Sequence, residues 1–383
     1  MALKHQAGLY VHVPFCCRKC SYCSFFSFVP QPGDLERFSS ALRLQMRQLA
    51  EHPEVQALTF ATVFFGGGTP SVLPPTLLDQ LLAELRRLFA FTANEPEITV
   101  EVNPGTIDGA GLLELRRAGF NRLSIGVQSL DDHELAMLGR IHSSEEALAT
   151  IAAARRAGFD HLSFDLMYGL PQQTPVGWRT TLDRALALDP VHLSMYELTV
   201  EPETPFACQV QAGAWTMPPE EEVVAMMGVI ASAIAASPLQ RYEISNYALP
   251  GHECRHNCNY WDNGQYLGLG PGAVSSMGGV RRTAVADLAE YCRRIDAGQS
   301  VWQEEERLDP EAAFRETVVM GLRMLAGVSI AGLRQRFGID LPSYYGRILD
   351  QLIDHGLLVL QGDRLCLSAK GLPLANRVMA ELV

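Results

Sequence analysis

Four cysteines crowd one short stretch near the start of the chain, "FCCRKCSYC" at residues 15–23. Three of them, Cys16, Cys20 and Cys23, have the spacing Cys-x3-Cys-x2-Cys. Thiolates select zinc or iron–sulfur clusters, and a structural zinc site needs a further Cys or His pair that this sequence does not offer as a second Cys-x2-Cys. Three thiolates on one loop therefore favour a 4Fe-4S cluster with one iron open to a small molecule.

The composition limits the class of protein. The 383 residues are 48% hydrophobic, which is enough for one large domain and a smaller one. No run of the sequence resembles a signal peptide or a membrane span, so we expect a cytoplasmic location. In that compartment, nine cysteines indicate metal ligation instead of disulfides. A formal net charge of -12 argues against a surface that coats nucleic acid, so we expect no nucleic-acid partner.

Short strand-like segments alternate with amphipathic helical segments from residue 8 to about residue 245. The strand-like segments are 8–15, 62–67, 97–104, 122–129, 161–169 and 192–199. The helical segments between them are 34–52, 74–89, 109–119, 143–158 and 174–188. This order predicts an α/β fold, a partial parallel (β/α) barrel of about six units, in which the working side chains lie at the carboxyl ends of the strands. Polar residues occur at those ends: Cys16, Gly66 to Thr69, Glu101, Asn103, Gln128, Asp165, Tyr196 and Glu197.

The composition and pattern of the sequence change after the predicted barrel. We predict a barrel core over 1–245, a Gly- and aromatic-rich extension with a charged connector over 246–305, and a small winged-helix-like α+β domain over 306–383 that ends in a hairpin. Winged helices often bind DNA, but residues 311–383 carry eight Lys and Arg against seven Asp and Glu, a net of +1. This net positive charge is small for a DNA-binding surface, so a DNA-binding redox regulator is the least favoured hypothesis.

Three cysteines with this spacing, directly after the first strand of an α/β barrel, resemble the radical S-adenosylmethionine (SAM) superfamily. The resemblance implies that Cys16, Cys20 and Cys23 hold the cluster and that SAM occupies the open iron. Tyr22 would lie against the adenine, and the glycines of "GGGTP" would let the backbone approach the methionine end. The SAM contacts that we predict from it are Tyr10, Tyr22, Gly66, Gly67, Gly68, Thr69, Glu101, Gln128, Arg140, Asp165 and Val274.

Longer motifs narrow the resemblance. "FFGGGTPSVL", "NRLSIGVQS" and "FDLMYGLPQQT" resemble the oxygen-independent coproporphyrinogen III oxidase group, and "YEISNYA" and "HNCNYW" resemble one branch of it, the HemW-type haem chaperones. The resemblance implies that a decarboxylating oxidase has a fourth cysteine two residues after the third, where this chain has Phe25. The oxidase also has a long N-terminal extension, whereas this chain reaches Cys16 almost at once. Both features favour the chaperone branch.

One position departs from the chaperone pattern. Chaperone-type sequences read "GxGAH" where this chain reads "GPGAV", so Val274 replaces a histidine. We predict His256 as the haem ligand in its place. The loop "GHECRHNC" spaces His252, Cys254, His256 and Cys258 two apart, so in an extended chain all four would point to one face as a haem or metal site. For Cys254 and Cys258 we favour plain buried thiols, and we expect Cys17 to be a small neighbour packed under the cluster loop.

Two hypotheses of function remain open at this point. The favoured one is a haem carrier that binds a 4Fe-4S cluster, SAM and haem, and passes haem to an unknown acceptor protein. The acceptor can lie at a membrane surface, although we predict no membrane span in this chain. The other is an oxidase-like enzyme in which a radical derived from SAM drives decarboxylation of a porphyrinogen. Both would take electrons from a donor such as a flavodoxin or a ferredoxin.

Overall fold

The computed structural model describes residues 5–92 and 95–383. Its strands are β1 (His5–Val13), β2 (Leu58–Gly67), β3 (Glu97–Val102), β4 (Arg122–Gln128), β5 (His161–Tyr168), β6 (His192–Glu197), β7 (Gln240–Arg241), β8 (Asn246–Ala248), β9 (Gln265–Leu269), β10 (Val274–Met277), β11 (Val280–Ala284), β12 (Trp302–Arg307), β13 (Val328–Ser329), β14 (Leu358–Gln361) and β15 (Arg364–Leu367).

Helices fill the connections between these strands. They are α1 (Asp34–Ala50), α2 (Pro53–Gln56), α3 (Pro75–Leu88), α4 (Gly109–Ala118), α5 (Asp132–Met137), α6 (Ser144–Arg156), α7 (Pro175–Leu186), α8 (Pro205–Gln211), α9 (Glu220–Ala235), α10 (Arg255–Trp261), α11 (Leu288–Asp296), α12 (Pro310–Gly321), α13 (Ile330–Phe337), α14 (Leu341–Tyr345), α15 (Arg347–Asp354) and α16 (Ala375–Ala380). No helix in the described ranges is long and apolar enough to cross a membrane.

The centre of the fold is a parallel sheet in which β1 to β6 are neighbours in chain order. Because each strand is parallel to the next, their carboxyl ends share one edge of the sheet. The edge strands do not pair with each other in the part of the chain that the structure describes: β1 pairs with β9, and β6 pairs with the antiparallel β8. The predicted partial barrel is therefore confirmed.

Local sequence signals mark the ends of two barrel helices. Ser143 and Glu146 form a capping box at the start of α6, and Gly119 ends α4 in the left-handed conformation with φ 103°. The main difference lies in β2, which begins at Leu58 and not at residue 62. Its first residues pair with the start of β1, and that pairing is a tertiary contact that local pattern does not reveal.

The described residues form three buried apolar clusters, and two of them are the cores of the barrel and of the C-terminal region. The larger core packs the barrel helices on the sheet, and it includes the fully buried Trp178, Phe65 and Phe120. The second core, around Phe314, lies among α12 to α16 and the three-stranded antiparallel sheet β13–β15–β14. This region is the predicted winged-helix-like α+β part, and its hairpin of β14 and β15 is confirmed.

Candidate functional site

The cysteine loop begins where β1 ends, and buried aromatic packing closes it. Phe15 is fully buried and packs edge-on against Phe28 and Phe38. Main-chain hydrogen bonds join the two ends of the loop: the Cys16 amide donates to the Phe28 carbonyl at 3.0 Å, and the Phe28 amide donates to the Pro14 carbonyl at 2.9 Å. The loop between residues 16 and 28 is therefore held at both ends at the carboxyl edge of the barrel.

A hydrogen-bond chain connects two of the cysteine thiols through the ends of three barrel units. The Thr69 hydroxyl donates to Cys16 Sγ at 3.4 Å and accepts from Asn103 Nδ2 at 2.8 Å. Arg140 donates one Nη to Asn103 Oδ1 at 2.7 Å and the other to Cys20 Sγ at 3.4 Å. This chain of hydrogen bonds fixes the positions of the Cys16 and Cys20 thiols relative to the ends of the barrel strands.

The Gly-rich loop after β2 approaches the end of β1 too closely for a side chain. A Cβ on Gly68 would lie 2.6 Å from the Phe15 carbonyl oxygen, and a Cβ on Gly67, at φ 107°, would lie 2.5 Å from the His12 ring. The Gly68 amide donates to the Val13 carbonyl at 2.8 Å. Glycine at both positions thus allows the loop to lie against the first strand.

One cavity of about 700 Å³ collects most of the predicted site residues. Its lining includes the following predicted residues: Tyr10, Cys16, Cys20, Tyr22, Cys23, Gly67, Gly68, Thr69, Glu101, Gln128, Arg140, Asp165 and His256. Gly66 and Val274 do not line it. Gly66 is buried beside the Phe64 ring, and Val274 lines an adjacent cavity of about 340 Å³ with Tyr10 and Tyr260.

Two carboxyl groups, those of Glu101 and Asp165, line the same cavity. Burial, with the neighbouring Asp165 carboxylate, raises the pKa of Glu101 to about 8. Burial also raises the pKa of Asp165 to about 6, although the Ser124 hydroxyl donates to both of its carboxyl oxygens at 3.0 and 3.2 Å. Glu101 accepts the Gly67 amide at 3.2 Å, which connects this carboxyl group to the Gly-rich loop. A cationic ligand placed beside the pair would favour its ionisation.

A polar ring deeper in the barrel was missed at the sequence level. Ser124, Ser163 and Ser194 lie on β4, β5 and β6 and line the cavity with Arg122 and His192. The Ser163 hydroxyl bonds His192 Nδ1 at 2.8 Å. The available signal was a repeat, because these three strands begin "RLS", "HLS" and "HLS". Residues two apart on a strand share a face, so the repeat places basic and hydroxyl groups on the same side.

The segment from 252 to 258 is not the extended chain in which its four His and Cys side chains would share a face. Residues from Arg255 onward form the helix α10, where positions two apart point to different sides, so the four side chains do not form a single ligand face. The Arg255 and His256 amides donate to the Glu97 carboxylate at 3.1 and 3.0 Å, which fixes the helix start on β3. Cys254 is a buried thiol, as expected, and burial raises the pKa of the half-buried Cys258 to about 12.

His256 lies buried at the wall of the cavity with both ring nitrogens in hydrogen bonds. Nδ1 pairs with the Thr62 hydroxyl at 2.7 Å, and Nε2 pairs with the Tyr260 hydroxyl at 3.0 Å. Burial lowers the pKa of His256 to about 3, so the ring is neutral at pH 7, as an iron ligand must be. Its role as a haem ligand stays a prediction.

The donor set fits a cluster better than a single ion. Within residues 5–92 and 95–383, no group of three His, Cys, Asp or Glu side chains meets closely enough to hold one metal ion. A cubane engages each thiolate at a different iron, so its three ligands line a space instead of meeting at a point. Cys17 is exposed beside these thiols, and its expected packing under the loop is wrong.

SAM also has suitable partners in this cavity. Arg140 Nε is buried and has no hydrogen-bond acceptor within the described chain, so it can serve a ligand carboxylate. The Glu101 carboxyl group suits an amino group or ribose hydroxyls. Glu101 bonds the Gly-rich loop through the Gly67 amide, and Arg140 is linked to the end of that loop through Asn103 and Thr69.

Comparison with known proteins agrees with this geometry. The model of the Radical SAM superfamily matches residues 10–185, and the HemN C-terminal domain matches residues 308–374. The chain is 34% identical to the Heme chaperone HemW of Bacillus subtilis, over 96% of this chain and 97% of that protein. It is 36% identical to the Heme chaperone HemW of Synechocystis, over 85% of this chain and 79% of that protein.

A solved structure covers nearly the whole fold. The coproporphyrinogen III oxidase HemN of Escherichia coli, described as a radical SAM enzyme, superposes with a TM-score of 0.86 at 25% identity, over 99% of this chain and 90% of that one. The chain therefore belongs to the radical SAM superfamily and, within its oxygen-independent coproporphyrinogen III oxidase-like group, to the family of the HemW heme chaperones.

Proposed function

We propose that this protein is a haem chaperone that binds a 4Fe-4S cluster at Cys16, Cys20 and Cys23, SAM beside it, and haem in the same cavity, and that passes haem to an acceptor protein. Relatives that match it nearly from end to end, such as the protein of Bacillus subtilis, carry the name Heme chaperone HemW. A bound cluster, reduced by a donor such as a flavodoxin or a ferredoxin, would supply an electron to SAM.

The observation that carries the proposal is Phe25. The chain has this phenylalanine where the resemblance implies a fourth cysteine in a decarboxylating oxidase, and its side chain is 68% exposed at the edge of both cavities. A large exposed aromatic ring at a cavity mouth offers an apolar surface to a flat aromatic cargo.

Haem ligation is the part of the proposal that rests on His256. The ring is neutral, and the Thr62 hydroxyl fixes its orientation through Nδ1. Iron ligation through Nε2 would replace the hydrogen bond to Tyr260, so the cost of binding includes the loss of one buried hydrogen bond.

Titrating haem into the protein tests the carrier function. We expect a Soret shift with saturable stoichiometry, and a weaker or altered shift in His256→Ala. The absence of any Soret shift in the wild type would overturn the proposal.

A second candidate, an oxidase-like decarboxylase, is favoured by the close superposition on the Escherichia coli coproporphyrinogen III oxidase. Its test is anaerobic incubation of the reconstituted protein with coproporphyrinogen III, dithionite and SAM. Formation of protoporphyrinogen IX would establish the enzyme and displace the carrier hypothesis. Recovery of unchanged coproporphyrinogen III, with a Soret shift on haem addition, supports the carrier.

A further inference from the structure

The main cavity extends beyond the cysteines to a junction between the barrel extension and the C-terminal helices. Trp261, the last residue of α10, and Arg323, in the turn after α12, both line it there. The turn is tied to the barrel because Glu243 forms a β-bridge with Met324 and the Leu325 amide donates to the Tyr242 carbonyl at 3.0 Å. The two side chains are thus held in place by separate elements.

Arg323 has an unusual environment for a guanidinium on a cavity wall. It lies over the Trp261 ring, 4.3 Å from the ring centroid. The nearest carboxylate oxygen is Glu243 Oε2 at 4.0 Å, which is beyond hydrogen-bond distance. Arg323 Nε is buried and has no acceptor in the described part of the chain. Buried polar groups normally have partners, so this donor is available to a ligand.

The carboxyl group beside it does not satisfy the arginine. Glu243 is fully buried, and its Oε1 accepts from the Ser245 amide at 2.9 Å and from Asn246 Nδ2. Its Oε2 has no hydrogen-bond partner among the described residues, and burial raises the pKa of this carboxyl group. The positive charge of Arg323 is therefore only partly balanced by the protein.

A second unpartnered donor lies at the same place. Trp261 Nε1 is buried and has no acceptor within residues 5–92 and 95–383. A guanidinium that stacks on an indole, with the N–H groups of both free, is a donor set that suits a carboxylate. Phosphate would also fit a guanidinium, but the mainly apolar wall of the cavity and its size suit a larger apolar molecule that carries a carboxylate.

We propose that Arg323 and Trp261 form a carboxylate subsite that binds a propionate of the tetrapyrrole cargo, an inference that rests on the proposed haem-binding function. Trp261 and His256 lie on the same helix and line the same cavity, so one ligand can contact both. Because Arg323 comes from the C-terminal region, the subsite requires that region to be docked on the barrel. The C-terminal helices thus take part directly in cargo binding.

The test compares haem with its dimethyl ester, in which both propionates are esterified. Each is titrated anaerobically into the full-length wild type, Arg323→Gln, Arg323→Lys, Trp261→Phe and the control Arg336→Gln. The control removes one charge from the same region, where Arg336 donates to the Asp262 and Asn263 carbonyls outside the cavity. We expect wild type and control to prefer haem over the ester by about tenfold or more, as charge-assisted hydrogen bonds provide.

The variants then show which residues produce the preference for haem over its dimethyl ester. Arg323→Gln should bind haem as weakly as the ester and leave the affinity for the ester unchanged. Trp261→Phe should lose part of the preference because it keeps the ring and removes the N–H, and Arg323→Lys should retain part of it. If Arg323→Gln does not fold, the inference is tested by the ratio of the affinities for haem and for its dimethyl ester in Trp261→Phe.

Three outcomes would overturn the inference in distinguishable ways. Equal binding of haem and ester by the wild type shows that no propionate is recognised. An equal loss of both ligands in Arg323→Gln shows that the arginine only supports the fold. Failure of the wild type to bind either ligand overturns the proposed function itself, together with the inference that rests on it.

Discussion

The proposed SAM site predicts how many protons are released when SAM binds, because the Glu101 carboxyl group is protonated in the free protein. Its carboxyl group lies inside the barrel with a pKa of about 8, raised by burial and by Asp165. SAM carries a sulfonium and an ammonium group, and a cation beside a carboxyl group lowers its pKa. Binding at the proposed position should therefore ionise Glu101 and release its proton.

The size of the release follows from the pKa. A group with a pKa near 8 holds about 0.9 proton at pH 7, about 0.5 at pH 8 and about 0.1 at pH 9. We expect SAM binding to release those amounts. Because only the ionised form fits the complex, the affinity for SAM should rise from pH 6 to pH 8 by up to about 50-fold, and should level off above pH 8.

Isothermal titration calorimetry measures this release directly. SAM is titrated into the anaerobic protein with its cluster reconstituted, in buffers of different ionisation enthalpy at one pH. The slope of the observed enthalpy against the buffer enthalpy gives the protons released. Because the cluster ligands are already bound to iron, the cysteines do not contribute to this slope.

The matched variants are Glu101→Gln and Glu145→Gln. Glutamine keeps an oxygen for the Gly67 amide, so the site retains its shape, while the slope should fall by the amount that Glu101 releases and the affinity should depend less on pH. Glu145 is exposed on α6, so its variant should behave as the wild type. Enthalpies that do not depend on the buffer in the wild type at pH 7, or an unchanged slope in Glu101→Gln, would refute the reasoning.

Three further predictions concern the cluster and the packing. Cys20→Ala should lose the brown iron–sulfur absorbance on anaerobic reconstitution, whereas Cys17→Ala should keep it because that exposed thiol lies outside the ligand spacing. Gly68→Ala places a Cβ 2.6 Å from a main-chain oxygen, so denaturant unfolding should show a loss of about 1–3 kcal/mol, with weaker SAM binding. The same change at Gly228, a position in α9 with open space around it, should be neutral or stabilise by about 0.5–1 kcal/mol. Phe314→Ala, at the fully buried centre of the C-terminal core, should lower the free energy of unfolding of that region by about 3–5 kcal/mol while the barrel still binds the cluster.

Each of these three predictions can be contradicted by a specific result. Cluster absorbance at the wild-type level in Cys20→Ala would contradict the ligand assignment. Equal unfolding curves for the Gly68 and Gly228 variants would show that the Gly-rich loop has room for a side chain. A Phe314 variant that loses the cluster together with its C-terminal structure would show that the two cores do not unfold separately.

Much of the barrel was predictable because its signals are local. Strand and helix periodicity, the capping box at Ser143 and the glycine at position 119 act within a few residues. Cysteine spacing is equally local, so Cys16, Cys20 and Cys23 could be predicted as cluster ligands from their separation along the chain. Residues at strand ends could be placed together because parallel strands share a carboxyl edge.

Other features depend on contacts between distant segments. The helix α10 begins where the Glu97 carboxylate, far away in the sequence, accepts the Arg255 and His256 amides. The stretch "GHECRHNC" contains no strong helix signal, so the helix could not be anticipated from these residues alone. Asn103 is similar: its link from Thr69 to Arg140 exists only when three barrel units lie side by side.

Spacing and periodicity are properties of neighbouring residues, and they were enough to predict the barrel, the superfamily and the three cysteines proposed as cluster ligands. The packing of the chain was needed to show which polar groups share a cavity, that Asp165 raises the pKa of Glu101, and that Arg323 lies over Trp261 from another part of the chain. Burial and charge proximity arise from packing, and packing brings together residues whose separation along the chain carries no information about their distance in space.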